Sequence, residues 1–194
     1  QRKVLSSGEL KRLYNEIEND KDKLLISILY DTACRRDELL NIKFEDIKEA
    51  SDEDKNNGIY ASIHIIGKGQ KARTVYMTKT SFELLNKIYP EKEKKDKLFI
   101  FYKGEEEKTP LKKQDDALYY KIKKMGKKIL DRKLHPHMFR HTKLTHMADN
   151  GADVLGISRY AGHEDLSVTQ IYIEISTHIG KRGFIKSNNS VLEK

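Results

Sequence analysis

The sequence predicts a mainly helical α+β domain carrying a small antiparallel three-stranded β-sheet. Three observations point to it. Apolar residues recur at helical spacing behind recognisable N-terminal caps through most of the 194 residues. Strict apolar alternation occurs at one place, residues 59–77, and a glycine-rich loop interrupts it there. No internal repeat and no strong linker divides the chain, so a single domain is expected.

Ser6 and Glu9 form a capping-box pair, and Leu10, Leu13, Tyr14 and Ile17 follow on one face, so the chain opens on a helix. Asp22 opens a second helix with Leu24, Leu25, Ile28 and Leu29, and a third begins near Asp37 with Leu39 and Leu40. Residues 49–58 are acidic and end in Asn56-Asn57-Gly58, a turn signal. Ile59, Ala61, Ile63 and Ile65 then alternate with Tyr60, Ser62, His64 and Ile66. Gly67-Lys68-Gly69-Gln70 interrupts, and strand character resumes from Arg73 to Met77, giving a hairpin. A lone hairpin is marginally stable, so residues 44–47 are expected to add a third strand.

Thr80 and Glu83 repeat the capping-box pattern before Leu84, Leu85 and Ile88, and Pro90 stops that helix. A charged loop over residues 91–97 follows. Thr109-Pro110 starts a long helix bearing Leu111, Leu118, Ile122, Met125 and Ile129. Pro136 starts the next helix, which Asn150-Gly151 ends; a short helix runs to Gly162, and a last one lies around residues 168–175. The tail after Gly180 is basic and aperiodic.

Composition narrows the function classes. No apolar run approaches the roughly 20 residues of a membrane-spanning helix, and no charged-apolar-small leader opens the chain. Cys34 is the only cysteine, which excludes a disulfide framework and a cysteine-ligated zinc finger and fits a reducing, cytoplasmic compartment. Thirty-eight basic against 30 acidic residues leave a net charge of +8, a balance that attracts polyanions. Lysines outnumber arginines 29 to 9, so a solvated lysine-rich surface accounts for most of the excess. The arginines are the sharper clue, because a planar guanidinium grips phosphate through two bonds.

Three motifs fail on context. Gly67-Lys68-Gly69-Gln70-Lys71-Ala72 has the letters of a dinucleotide fingerprint, but a strand follows it where a helix N-terminus must meet the pyrophosphate. Asp52, Asp54 and Asn56 resemble the start of a calcium loop, but Asn57 and Ile63 occupy the positions that need glycine and a bidentate glutamate. His135, His137, His141 and His146 cluster without the interleaved carboxylate of a metallohydrolase helix, so no metal and no cofactor are expected.

What survives is a set of four separated segments, each offering a group suited to phosphate chemistry. They are Thr32-Ala33-Cys34-Arg35-Arg36-Asp37-Glu38-Leu39, the Lys68 hairpin tip, His137-Met138-Phe139-Arg140, and Ala161-Gly162-His163 followed nine residues later by Tyr172. Pro136 at the first helical position sets His137 and Arg140 three apart on one face of the first turns, where the helix N-terminus adds positive potential. Each residue alone has an ordinary reading: Arg35 as an ion-pair partner of Asp31 or Glu38, Lys68 as a solvated tip, His163 as a cap after Gly162, Tyr172 as a core residue beside Val168, Ile171 and Ile175.

In this order and spacing, the four segments resemble the catalytic domain of the tyrosine recombinases, the phage-integrase family, over about residues 5–175. The resemblance implies the DNA breaking-rejoining fold and a set of roles. Arg35 and Arg140 are the catalytic arginines, Glu38 supports the first of them, Lys68 (with Lys71 as the alternative) is the hairpin lysine, His137 and His163 are the histidines, and Tyr172 is the nucleophile. Ala33 and Cys34 stand where the family usually has glycine and an apolar residue.

The reaction so implied is transfer of a DNA phosphodiester to the tyrosine, giving a 3′-phosphotyrosyl link without ATP or metal. A phenol of pKa about 10 resists ionisation at neutral pH, so it needs a proton acceptor and a cationic pocket. His137 is expected to handle the Tyr172 proton, and Lys68 to protonate the leaving 5′-oxygen. The family also implies double-stranded DNA as partner, a homo-tetramer on paired sites and a monomer when free. Residues 1–179 are expected to form the catalytic domain and residues 180–194 a tail exchanged between protomers, with the family's N-terminal core-binding domain absent. The rival readings are a non-catalytic DNA-binding module and a type IB topoisomerase-like relaxing enzyme.

Overall fold

The computed structural model describes residues 4–67, 69, 71–91, 96–99, 111–163 and 165–175. Helix α1 (Ser7–Glu16) opens with the reciprocal cap that its sequence predicts: Glu9 N–H donates to Ser6 Oγ, and Ser6 N–H donates to the Glu9 carboxylate. Helix α2 (Asp20–Thr32) is capped by Asn19 and buries Leu24, Leu25, Ile26, Ile28 and Leu29, so it lies inside the molecule rather than on it. There follow α3 (Arg36–Asn41), a 3₁₀ turn (Phe44–Asp46), β1 (Ile47–Glu49), α4 (Asp52–Asn56), β2 (Ala61–Ile66), β3 (Ala72–Met77) and α5 (Lys79–Ile88). Helices α6 (Leu111–Leu130), α7 (Pro136–Asp149), α8 (Val154–Ala161) and α9 (Ser167–Ile175) complete the order.

The sheet is antiparallel in the order β1-β2-β3, with Ile63 opposite both Ile47 and Val75. Period-two alternation turns Ala61, Ile63, Ile65, Val75 and Met77 to the core. The third strand starts only at Ile47. Residues 44–46 form the 3₁₀ turn instead, because Asp46 Oδ2 accepts the Lys43 N–H (2.8 Å) and folds the chain back on itself. A second difference lies at α5. Its N-cap is Thr78 rather than Thr80, and the group that satisfies the helix start is the buried Asp31 carboxylate. Its Oδ2 accepts from Thr78 N–H (2.9 Å), Thr78 Oγ1 (2.8 Å) and Ser81 Oγ (2.5 Å).

Two apolar clusters divide the interior. The larger joins α1, α2, α3, the sheet, α5, α6 and the start of α7. The smaller joins Ala33, Leu144, Ala148, Ile157, Ala161 and Tyr172, beneath α7, α8 and α9. Burial of side chains of this size stabilises by about 1.5–3 kcal/mol each. Tyr160 packs against both clusters, and its hydroxyl donates to Asp31 O (2.5 Å). Gly126 is a packing requirement: a Cβ there would lie 2.7 Å from Arg132 O, where the chain turns back between α6 and α7. Thus α7 is wedged between the clusters, with Met138 and Phe139 in one and Leu144 and Ala148 in the other, and its first turns open into a cavity.

Candidate active site

A cavity of about 650 Å³ lies where α3, the base of the β2–β3 hairpin, α7, α8 and α9 converge. Arg35, His137, Arg140, His163 and Tyr172 all line it, so five residues spread over 138 positions of sequence share one space. Lys68 lies outside the described residues; Lys71 lines the cavity.

Helix geometry explains the convergence. α2 ends in Ala33 with φ +49°, a left-handed C-cap that turns the chain sharply and leaves Arg35 as the N-cap of α3. Arg140, only 1% exposed, donates from Nη1 to Ala33 O (2.6 Å) and from Nη2 to Ala161 O (2.8 Å). Arg35 donates to Gly162 O (3.2 Å). Both guanidinium groups are therefore held at the C-terminal end of α8, where partial negative charge favours a cation. Gly162 (φ +67°) ends that helix, and a Cβ on it would stand 3.1 Å from the Arg73 guanidinium, so glycine is required there by conformation and by space.

Glu38 anchors the cationic side. Its buried carboxylate accepts from Arg35 N–H (2.7 Å), Arg35 Nη1 (3.0 Å), Arg73 Nη1 (2.8 Å) and Arg73 Nη2 (2.7 Å). Burial by itself would raise this carboxyl, but the Arg73 hydrogen bonds and the charges of both arginines outweigh it and hold it at about 2. Arg73 Nε also donates to Tyr160 O (3.0 Å), so one side chain joins the hairpin, α3 and α8.

The imidazoles line the opposite wall. His137 and His141, one turn apart on α7, meet edge to face with centroids 4.4 Å apart. Desolvation, then His141 and Arg140, hold His137 at about 4; desolvation, then Arg140 and Arg35, do the same for His163. Both are neutral at pH 7. His163 Nδ1 lies 2.8 Å from Thr169 Oγ1 on α9, which fixes the ring. Arg140 itself is lowered to about 10, by burial first and then by Arg35 and Arg73. The site is thus a pocket in which Arg35, Arg73 and Arg140 concentrate positive charge, suited to an anion.

Tyr172 is 4% exposed and packs in the smaller cluster, so it is both a core residue and a lining residue. Its ring stacks on His163 at 14° with centroids 6.3 Å apart. Its hydroxyl lies 2.8 Å from Nδ1 of His141. Desolvation raises the phenol above its ordinary value, and Arg140 opposes that rise. The sequence reading expects His137 beside the phenol; the histidine that contacts it is His141, and His137 contacts His141. The signal for His141 is its i+4 spacing from His137. Thr169 and Arg73 carry no such local signal. The remaining histidines of the sequence cluster do not line the cavity: His135 occupies the N-cap position of α7 without a side-chain capping bond, and His146 Nδ1 lies 2.9 Å from Tyr30 Oη.

The chain is similar to known proteins in sequence and in fold. The model of the phage integrase family matches residues 3–178. Tyrosine recombinase XerA of Saccharolobus solfataricus is 32% identical over 193 residues, covering 99% of this chain and 59% of that protein. The crystal structure of XerA recombinase superposes with a TM-score of 0.71 at 26% identity, over 95% of this chain and 64% of that one. XerH site-specific recombinase bound to difH substrate, a pre-cleavage complex, superposes with a TM-score of 0.68 at 26% identity, over 100% of this chain and 55% of that one. The chain therefore spans less than two thirds of the length of these relatives. A family match that runs from the α1 cap past Tyr172, on a fold shared with two Xer recombinases, leaves one conclusion: the chain belongs to the phage integrase family of tyrosine recombinases.

Proposed function

We propose that this chain is the catalytic part of a site-specific DNA recombinase that cuts and rejoins strands through a covalent tyrosine intermediate. The observation that carries the reading is the presence of the Tyr172 hydroxyl in one cavity with Arg35, Arg140, His137 and His163. A scissile phosphate placed there meets two guanidinium groups that are already oriented by backbone carbonyls and Glu38, so little reorganisation is needed as charge builds on phosphorus. Arg140 spends two of its five N–H donors on Ala33 and Ala161, and the others serve the non-bridging oxygens. With the Thr169 hydroxyl as donor in its 2.8 Å contact with His163 Nδ1, the ring proton sits on Nε2 and serves a phosphoryl oxygen.

In the reaction, the Tyr172 Oη–H bond breaks, the Oη–P bond forms and the P–O5′ bond breaks. The phenolic proton goes to an imidazole of the cavity. The leaving oxygen takes a proton from a hairpin lysine, Lys68 or Lys71. One ester replaces another, so ATP has no role. Support for DNA as partner comes from the net charge of +8, the cationic cavity and the substrate-bound XerH relative. On paired sites the protein acts as a homo-tetramer; residues 180–194, the segment expected to pass between protomers, lie outside the described residues.

The test is incubation with nicked duplex DNA in the presence of a chelator, followed by a denaturing gel. A slower-migrating covalent species that disappears in Tyr172→Phe supports the reading. Salt-sensitive DNA binding with no adduct in the wild type replaces it with a binding module, and relaxation of supercoiled plasmid without paired sites replaces it with a topoisomerase.

A further inference from the structure

The strand-transfer reading leaves open which imidazole takes the phenolic proton. We infer that His141, not His137, is the proton acceptor for Tyr172 when the tyrosine attacks phosphorus, and the proton donor when the strand is rejoined. This deepens the function proposed above and rests on it.

The geometry is direct. Tyr172 Oη and His141 Nδ1 are 2.8 Å apart, within the range of a hydrogen bond along which a proton moves without any group relocating. Among the described residues, the ring contacts of Tyr172 are with His141 and His163, and the ring contact of His137 is with His141. His163 is already committed through Nδ1 to Thr169. His137 thus stands one step behind, at the edge of the His141 ring, where it steers His141 rather than reaching the phenol. Tyr172 as a residue is 4% exposed, so the imidazole beside its hydroxyl is the base nearest to hand.

The step balances as follows. His141 holds its own proton on Nε2 and offers the Nδ1 lone pair. The Oη–H bond breaks toward Nδ1, giving imidazolium, while Oη–P forms, P–O5′ breaks and the departing O5′ takes a proton from the hairpin lysine. On rejoining, the 5′-hydroxyl attacks phosphorus and gives its proton back to that lysine, the P–Oη bond breaks, and the imidazolium returns its proton to the departing phenolate. The charged and titratable groups that line the cavity with His141 are His137 on its own helix, Tyr172 on α9, His163 after α8, Arg35, Lys71, Arg73, Arg140, Arg159 and the carboxylate Asp165. A bound phosphodiester would bring its negative charge into this cluster, beside the imidazolium that the step forms.

The experiment is single-turnover cleavage of a nicked duplex at saturating DNA between pH 5.5 and 9, with DNA affinity and thermal melting measured alongside. His141→Gln keeps a hydrogen-bonding side chain without a basic nitrogen. It is expected to bind DNA as wild type does, to cleave about 10²–10⁴-fold more slowly at pH 7, and to gain rate about tenfold per pH unit from 7 to 9 as hydroxide replaces the missing base. His137→Gln is expected to be slower while keeping the wild-type pH profile. Added imidazole is expected to restore His141→Gly and not His137→Gly. A His141→Gln rate within fivefold of wild type, or the steep pH slope and imidazole rescue appearing in the His137 variants instead, overturns the inference.

Ring ¹⁵N chemical shifts of the unaltered protein need no variant to fold. Nδ1 bare and Nε2 protonated on His141 supports the assignment, and Nδ1 protonated overturns it. If the wild type forms no covalent adduct, the recombinase reading fails, whereas an adduct formed at full rate by His141→Gln sinks only the role of His141.

Discussion

Arg73 and Glu38 lie 35 positions apart in sequence and meet as a paired fork, Nη1 to Oε1 at 2.8 Å and Nη2 to Oε2 at 2.7 Å. Their side chains are 9% and 2% exposed, so the pair is nearly dry. Glu38 in turn orients Arg35, which means that a residue on the hairpin sets the aim of a residue on α3.

Because breaking one side of a buried pair strands the other charge, Arg73→Ala is expected to destabilise the protein by about 3–5 kcal/mol. Arg73→Lys keeps the charge but loses the fork and the bond to Tyr160 O, so it is expected to cost less and still lower cleavage. Urea denaturation gives the first quantity, and the nicked-duplex assay at a temperature where both variants are folded gives the second.

Ala33 holds a left-handed conformation while fully buried. Relieving that strain with glycine gains about 1–2 kcal/mol. Losing the buried methyl costs about 0.8 kcal/mol, and the added freedom of the unfolded chain costs about 0.5–1 kcal/mol. Ala33→Gly is therefore expected to lie within about 1 kcal/mol of wild type. Ala33→Val, branched at Cβ at a positive φ in a packed site, is expected to lose more than about 2 kcal/mol. Thermal melting of the two variants checks the contrast.

Asp31 carries the start of α5 from within α2. Asp31→Ala leaves the Thr78 N–H and the buried Ser81 hydroxyl without their acceptor, a loss of about 2–3 kcal/mol in chemical denaturation. Since Asp31 does not line the cavity, the folded fraction of this variant is expected to cleave at the wild-type rate.

Thr169→Val preserves shape and removes the hydroxyl beside His163 Nδ1. The expected result is a fold of unchanged melting temperature, within a few degrees, and a cleavage rate lower by about tenfold, the equivalent of one hydrogen bond. Single-turnover rates at saturating DNA distinguish this from a binding defect.

Acid is expected to weaken the protein in two stages. His137 and His163 bind protons at about pH 4 when folded, against an ordinary value of 6.5. As pH falls from 6.5 toward 4 the unfolded chain takes up protons that the folded state refuses, so stability drops. Glu38, held at about 2 against an ordinary 4.5, adds a further loss as pH falls below 4.5 toward 2. Melting temperatures across pH 7 to 3 should show both stages. A DNA duplex or inorganic phosphate should reduce the first of them, because an anion in the cavity favours the protonated imidazoles.

Much of this was legible in the residues. The Ser6–Glu9 box and Pro136 are local signals read by local geometry, and the structure has both helix starts where they point. The Thr80–Glu83 pair is equally local, yet α5 starts two residues earlier because Asp31, remote in sequence, supplies the acceptor. Residues 44–46 turn rather than extend for a reason a strand pattern does not register, the short reach of Asp46 back to Lys43 N–H. His141 was within reach of helical spacing. Arg73 was not, since a strand residue gives no hint of a partner that only the packed hairpin brings to it.

The smaller apolar cluster has one more consequence. Tyr172, Thr169 and the register of α9 against Leu144 and Ala148 form a single mechanical piece. Peeling α9 from α7 would part the Tyr172 hydroxyl from His141 and release the His163 ring in the same motion. Under the proposed function, docking of the last helix is therefore expected to switch cutting on or off as a block.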